Sequence, residues 1–214
     1  DQFISLLGRE GYALLIDCRT LAYERIPLEL GDYRILVCHS GVKHRLVDSE
    51  YNRRRQECES GVQVLAAEFP PVRALRDADL EMLAACRERM APVIYKRCRH
   101  VITENERVLK SVAALKAGDL KRFGELLNQS HDSLQQDYEV SCAEIDLLVT
   151  LARKVEGVLG ARITGGGFGG CTVNLIHADA IGEFTRRVLP EYHKQTGIEA
   201  QVYISTAANG AEIL

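Results

Sequence analysis

The feature that most constrains this chain is a glycine-rich run that reads ITGGGFGGC from Ile163 to Cys171. Five of the six residues from Gly165 to Gly170 are glycine. Glycine adopts backbone dihedrals that other residues avoid and allows close approach, at an entropic cost that disfavours it inside helices and strands. The run therefore predicts a sharply bent loop whose backbone lies close to another part of the molecule or to a ligand.

The same run matches the dinucleotide fingerprint G-x-G-x-x-G through Gly165, Gly167 and Gly170. That fingerprint requires a helix directly after the glycines, so that the helix N-terminus can hold a pyrophosphate. The residues that follow, Cys171 to Ile176, form a β-branched, strand-like run instead. Two interpretations remain, a roomy hairpin or a loop that packs against a phosphate or another phosphate-binding loop.

The segment Thr164–Gly170 resembles the third signature motif of the GHMP kinase superfamily, and with Cys171 it resembles the galactokinase version. Other segments also resemble the galactokinase family and occur in the same order. Residues 1–8 and 13–19 resemble the stretch that begins at the catalytic aspartate. The further segments are 39–44, 49–58 and the stretch from 130–131 through 137–142. The resemblance covers essentially the whole chain, and it implies ATP-dependent phosphorylation of α-D-galactose at O1.

The resemblance also implies roles for individual residues. Asp1 corresponds to the carboxylate proposed to take the proton from the sugar hydroxyl, and Tyr51 to a tyrosine that contacts the sugar. Lys43 is a weaker candidate for a cation near the phosphates. The loop beside the nucleotide phosphates comprises Gly165, Gly166, Gly167, Gly169 and Gly170. A carboxylate suits this chemistry because phosphoryl transfer needs a group that orients the attacking hydroxyl.

Galactokinases are roughly twice this long, and the chain opens at Asp1 without an initiator methionine. We therefore expect a C-terminal half, with the phosphate loop, the sugar-gripping motif and the Mg²⁺ ligands in a missing N-terminal half. ATP and Mg²⁺ are expected to serve the whole enzyme, while this half alone is expected to be inactive. Two alternatives stay open: a non-catalytic galactose and ATP sensor that binds a regulatory protein, and a kinase for N-acetylgalactosamine.

Strand-like patterns come first, helix-like patterns follow, and the end of the chain is again strand-rich, which predicts an α+β fold. The resemblance narrows it to the ferredoxin-like GHMP C-terminal domain. Residues 1–40 are assigned to a remnant of the N-terminal domain and residues 41–214 to the C-terminal domain. Phe3–Leu7 and Ala13–Asp17 are predicted to form a hairpin, with Arg34–Cys38 as a third strand. Because those strands would lack partners, self-association through exposed edges is expected.

Several residues receive structural interpretations. The run Arg53–Arg55 is interpreted as a solvated helix face with ion pairs to Glu57 and Glu59. His131 is expected to be a hydrogen-bonded core residue. Helix caps are predicted at Asp119 and as a capping box, Ser141 with Glu144.

Composition excludes some classes of function. The net charge of −3 over 214 residues gives no basis for electrostatic binding to nucleic acid or an anionic membrane. No apolar run approaches the roughly 20 residues that span a bilayer. The seven cysteines are scattered and contain no C-x-x-C pair, which is typical of reduced thiols and predicts a cytoplasmic protein without a zinc site.

Overall fold

The computed structural model describes residues 2–42 and 47–211. Its strands are β1 (Tyr12–Ile16), β2 (Tyr23–Pro27), β3 (Tyr33–His39), β4 (Val158–Thr164), β5 (Cys171–His177) and β6 (Gln201–Ser205). Its α-helices are α1 (Gln2–Leu7), α2 (Val47–Glu68), α3 (Leu80–Ala85), α4 (Pro92–Lys116), α5 (Leu120–Ser133), α6 (Ala143–Ala152) and α7 (Ile181–Thr196). A π-helical turn, Leu134–Tyr138, follows α5 directly.

A four-stranded antiparallel sheet with the order β4-β5-β3-β6 forms the centre of the fold. In chain order its strands and intervening helices give the pattern βαββαβ, which is the ferredoxin-like arrangement. The strand β3 lies inside the sheet, so that Val37 is opposite both Val173 and Tyr203. The predicted α+β, ferredoxin-like fold is confirmed.

One apolar core lies between this sheet and the helices α6 and α7. Phe184, Val188 and Tyr192 form a single stripe on α7 because they are four residues apart, and each is 1% exposed or less. They pack with Leu36 of β3 and Ile176 of β5, which are fully buried. A second cluster joins α2, α3 and α4.

Close backbone contacts at glycines bring the helices against their neighbours. A Cβ atom added at Gly160 of β4 would lie 2.3 Å from the carbonyl oxygen of Gly124 on α5. A Cβ added at Gly61 of α2 would lie 2.0 Å from Sγ of Cys98 on α4. Real Cβ atoms essentially never approach so closely. Gly160 is therefore required by its contact with backbone, whereas a side chain at Gly61 would force the Cys98 side chain to move.

The predicted strand Phe3–Leu7 is wrong, because these residues lie in α1. A short apolar run is compatible with either element, and tertiary contacts decide between them. Gly8 N–H donates to the carbonyl of Ile4, 2.9 Å away, and Ala211 N–H donates to Ser5 O at 2.7 Å. The hairpin that does form pairs β1 with β2, a strand that the sequence analysis missed.

The predicted boundary at residue 40 does not agree with the sheet. Because β3 pairs with β5 and β6, residues 33–39 belong to the four-stranded sheet that was assigned to the second domain. A division of the chain into two domains stays a prediction, and its boundary would have to precede Tyr33. Of the described elements, the first domain would then contain α1, β1 and β2.

The predicted cap at Asp119 is confirmed, since its Oδ1 accepts from Arg122 N–H at 2.9 Å. The capping box at Ser141 is wrong: Cys142 is the N-cap residue of α6, and Ser141 Oγ donates to Asp146 instead. Within the described ranges, none of the helices is long and apolar enough to cross a membrane.

Candidate active site

The glycine run forms the connection between the antiparallel strands β4 and β5, which pair as far as Thr164 and Cys171. Gly165, Gly167, Gly169 and Gly170 have φ values of +85°, +86°, +133° and +78°. L-residues with side chains rarely adopt these dihedrals. The composition of the loop is therefore required by its backbone conformation.

The loop is held on both sides and is no free hairpin. On one side Phe168 N–H donates to the carbonyl of Val140 at 2.6 Å, and a Cβ at Gly167 would lie 2.6 Å from that same oxygen. On the other side Ser40 N–H donates to Gly170 O at 2.8 Å. Tyr192 Oη, from α7, donates to the carbonyl of Ser40 at 2.7 Å. These contacts favour the interpretation of a closely packed loop over that of a roomy hairpin.

Tyr51 lies in the first turns of α2 and is 61% exposed. It lines an open cavity of about 1000 Å³ between the β1–β2 hairpin and the helices α2 and α4. Tyr138, at the end of the π-helical turn, lines the same cavity. A tyrosine placed in this way offers its ring and hydroxyl to a ligand, which agrees with the role that the resemblance gives it, although that role stays a prediction.

Tyr138, which lines the cavity with Tyr51, is held in place by buried neighbours. Its ring stacks on His100 with ring centroids 4.5 Å apart, and His100 Nδ1 lies 2.8 Å from Ser133 Oγ. Burial lowers the pKa of His100 to about 4, so the imidazole is neutral at physiological pH. Burial likewise raises the pKa of Tyr138 above its usual range, so its hydroxyl stays protonated.

Arg54 is the residue that the sequence analysis interpreted wrongly. Its neighbours Arg53 and Arg55 do form the expected pairs with Glu57 and Glu59, but Arg54 is only 6% exposed. Its guanidinium donates from Nε to Tyr138 O at 2.6 Å and from Nη2 to Glu139 O at 2.9 Å. It also lies over the ring of Phe168, 5.9 Å from the centroid.

A second buried arginine completes this junction. Arg97 of α4 is 1% exposed and donates to Glu57 at 2.9 Å, to Asp137 O at 2.6 Å and to the Glu139 carboxylate at 2.7 Å. Burial opposes the charge of Arg97, but the bonds to Glu139 and Glu57 outweigh it and raise its pKa. The hydrogen bond from Arg97 holds the pKa of Glu139 below its usual value.

The two remaining predicted residues, Asp1 and Lys43, lie outside the described residues. His131 is buried as expected, with Nδ1 accepting from Ile163 N–H at 3.2 Å. In residues 2–42 and 47–211 no group of three His, Cys, Asp or Glu side chains could hold a metal ion.

The hairpin beside the cavity is joined to the helical part by two reciprocal ion pairs. Arg19 contacts Asp77 with both nitrogens of its fork, at 2.9 and 3.0 Å. Arg76 contacts Asp17 in the same way, at 2.8 Å for both contacts. These four residues, the crossed clamp, connect the β1–β2 turn to the short 3₁₀ helix Leu75–Asp77.

Comparison with known proteins agrees with this fold. A family profile described as GHMP kinases C terminal matches residues 111–194. The galactokinases of Roseiflexus sp. (strain RS-1) and Homo sapiens are 44% and 45% identical over 98% and 100% of this chain, covering 54% and 52% of their own lengths. A crystal structure of Lactococcus lactis galactokinase complexed with galactose covers the whole chain with a TM-score of 0.94 and 37% identity, using 55% of that protein. The similarity to a crystal structure of L. major mevalonate kinase, at 21% identity and a TM-score of 0.54, shows the fold alone.

The sheet order and the match to a galactokinase structure show the GHMP kinase C-terminal fold, and the family profile matches residues 111–194 within it. Within that class the chain is homologous along its whole length to galactokinases, which confirms the resemblance found in the sequence. The chain spans about half the length of the curated relatives it matches.

Proposed function

We propose that the full-length gene product containing this chain transfers the terminal phosphoryl group of ATP to O1 of α-D-galactose. The observation that carries the proposal is the similarity to galactokinases over 98% to 100% of the chain. It is supported by the match to a galactokinase structure in complex with galactose. The rigidly held glycine loop and the exposed Tyr51 are compatible with a phosphate side and a sugar side of one site.

In this proposal the residues of this chain orient the reactants. Asp1 orients the sugar hydroxyl and accepts its proton, Tyr51 contacts the sugar, and the loop Gly165–Gly170 packs beside the nucleotide phosphates. Such positioning suits phosphoryl transfer, in which catalysis is mostly placement and charge stabilisation. Mg²⁺ would neutralise phosphate charge when bound, with ligands from outside the described residues. The seven free cysteines support a compartment that keeps thiols reduced, and we propose the cytoplasm.

The test is a coupled ATP assay of the full-length gene product with galactose and, in parallel, N-acetylgalactosamine. We expect turnover with galactose, and we expect Asp1→Asn to lower kcat by at least about 100-fold, the scale of general base catalysis, while galactose binding by calorimetry persists. Binding of galactose without turnover would favour the sensor alternative, and a preference for the N-acetylated sugar would favour the other kinase. Unchanged turnover in Asp1→Asn would remove Asp1 from its role.

A further inference from the structure

We propose that Arg54 is a positioning residue that couples the sugar side of the active site to its phosphate side. The inference rests on the proposed function, since it assigns galactose to Tyr51 and the nucleotide to the glycine loop. Arg54 is suited to such a role because it is buried, follows Tyr51 by three residues on α2, and lies 5.9 Å from the ring centroid of Phe168 in the loop. Its partners belong to three separate segments of the chain, α2, the residues 138–139 and the loop.

On the sugar side, Arg54 follows Tyr51 by three residues on α2, and residues at this spacing are neighbours on a helix surface. The bonds of its guanidinium to the carbonyls of Tyr138 and Glu139 fix this part of α2 against the end of the π-helical turn. Tyr51 and Tyr138 line the same cavity. A change in the position of Arg54 would therefore move the two tyrosines relative to each other.

On the phosphate side, the same carbonyl groups lead directly to the loop. Val140 follows Glu139, and its carbonyl accepts from Phe168 N–H in the middle of the loop. The ring of Phe168 also lies within cation–π range of the Arg54 guanidinium. Two independent contacts thus connect Arg54 to the loop, one through the backbone of residues 139–140 and one through a side chain.

The backbone outliers lie at this junction. Among the described non-glycine residues, the positive φ values are those of Leu21, in the hairpin turn, Glu139 at 53° and Phe168 at 61°. Arg54 contacts both Glu139 and Phe168. Such conformations are energetically unfavourable and persist where the surroundings enforce them, often at functional sites. Here the enforcing groups include the guanidinium of Arg54.

Lysine cannot replace this arginine. The planar guanidinium presents several donors in fixed directions and stacks on an aromatic ring, whereas an ammonium is a point charge. Arg54 uses Nε, Nη1 and Nη2 on three different oxygens, those of Tyr138, Glu57 and Glu139. An Arg54→Lys variant would keep the buried charge but would lose the simultaneous attachment of α2 and of the turn that holds the loop.

If Arg54 couples the two sides, binding of one ligand also orders part of the other side. The second ligand then loses less conformational entropy on binding. Galactose should then tighten the binding of nucleotide, and nucleotide should tighten galactose by the same factor. We expect a factor of about five or more in the wild type, the usual lower range of such coupling. In Arg54→Lys we expect this coupling factor to fall to about two or less. We also expect kcat to fall about tenfold or more, because misplaced reactants react more slowly.

The experiment is isothermal calorimetry on the full-length gene product, with a non-hydrolysable ATP analogue titrated in the presence and absence of galactose. Melting temperature and kcat are measured on each variant. Arg187→Lys is the matched control, because the Arg187 side chain is 62% exposed and, among the described residues, its ion pair is with Glu183 along α7. Phe168→Leu is the second variant, since it removes the ring contact and leaves the hydrogen bonds of Arg54 in place.

Loss of coupling in Arg54→Lys and its reduction in Phe168→Leu, with Arg187→Lys unchanged, supports the inference. A lower melting temperature with the coupling factor intact would overturn it and leave Arg54 a structural residue. If Arg54→Lys does not fold, Phe168→Leu decides, and full coupling in that variant overturns the inference. A wild type that turns galactose over without any coupling refutes the inference alone, whereas a wild type that does not bind galactose refutes the proposed function as well.

Discussion

The four-stranded sheet and the β1–β2 hairpin are attached to the helices in different ways. The sheet is buried under α6 and α7, with Leu36, Ile176 and Phe184 almost fully excluded from solvent. The hairpin contributes one fully buried apolar residue, Ile26, and the residues of β1 are only half-buried. A cavity of about 250 Å³ is lined by residues of the hairpin, α4 and α5.

Charge takes the place of apolar packing in the attachment of the hairpin. The crossed clamp holds its turn, and Lys116 of α4 contacts Glu24 of β2 at 2.6 Å. Exposed ion pairs contribute little to stability, and salt screens them, whereas burial of apolar side chains is the dominant favourable contribution to folding. The comparison indicates that apolar packing of the sheet provides most of the stability of the fold. The crossed clamp instead fixes the position of the hairpin against the helices.

The largest expected effect is the loss of packing in the sheet. Leu36→Ala should lower the free energy of unfolding by about 2–5 kcal/mol, as for other fully buried leucines. Leu14→Ala in β1 removes the same atoms from a residue that is half-buried beside the 250 Å³ cavity, and should cost about 1 kcal/mol. Urea unfolding of both variants measures the difference, and equal losses would contradict the comparison.

An intermediate effect is expected in the glycine loop. Gly165 and Gly167 have almost the same φ, but a Cβ at Gly165 meets nothing within 4 Å, while one at Gly167 meets the Val140 carbonyl at 2.6 Å. Gly165→Ala should therefore show only backbone strain, about 1–2 kcal/mol for a residue with a side chain in the left-handed region. Gly167→Ala should lower the melting temperature further and raise KM for ATP, and Gly167→Val should be more damaging still. Thermal unfolding and ATP kinetics check this, and indistinguishable alanine variants would make the loop a simple hairpin.

The smallest effect is expected at the clamp, and it depends on pH. The hydrogen bond from Arg19 lowers the pKa of Asp77 to about 2, and that from Arg76 lowers the pKa of Asp17 further below its usual range. A carboxyl whose pKa is depressed by folding stabilises the native state above its unfolded pKa of about 3.8. That contribution declines as the pH falls from about 4 towards the folded values.

Amide hydrogen exchange, corrected for intrinsic rates, measures the hairpin separately from the sheet. Between pH 5 and pH 3, or in 1 M salt at pH 7, we expect β1 and β2 to lose protection while β3 retains it. Asp17→Asn should already show the reduced hairpin protection at pH 5. Loss of protection in β3 at the same pH as in β1 would show that the two regions unfold together.

The parts of the fold that were predictable from sequence are those that local chemistry determines. The glycine dihedrals require a loop between Thr164 and Cys171, and Asp119 is a good N-cap residue. The α7 stripe follows from a spacing of four residues. In each case the residues that decide the structure are neighbours in sequence.

The errors occurred where distant residues decide. The helix α1 is stabilised by contacts with residues 210 and 211, about 200 positions away. Arg54 is buried by residues 138 and 139, and a charged residue in an arginine run gives no local sign of such a partner. Burial of a polar residue is set by the tertiary structure, so the junction between α2 and the loop could not be derived from the sequence.

The crossed clamp has a further consequence for how the hairpin finds its place during folding. Its acids and bases alternate, with Asp17 and Arg19 on one side and Arg76 and Asp77 on the other. If the hairpin docked one step out of register, Arg19 would meet Arg76 and the two arginines would repel each other. Repulsion in the wrong arrangement is an effective source of specificity even where the attraction is weak. Four side chains that add little to stability thus favour the correct docking of the hairpin over a shifted one.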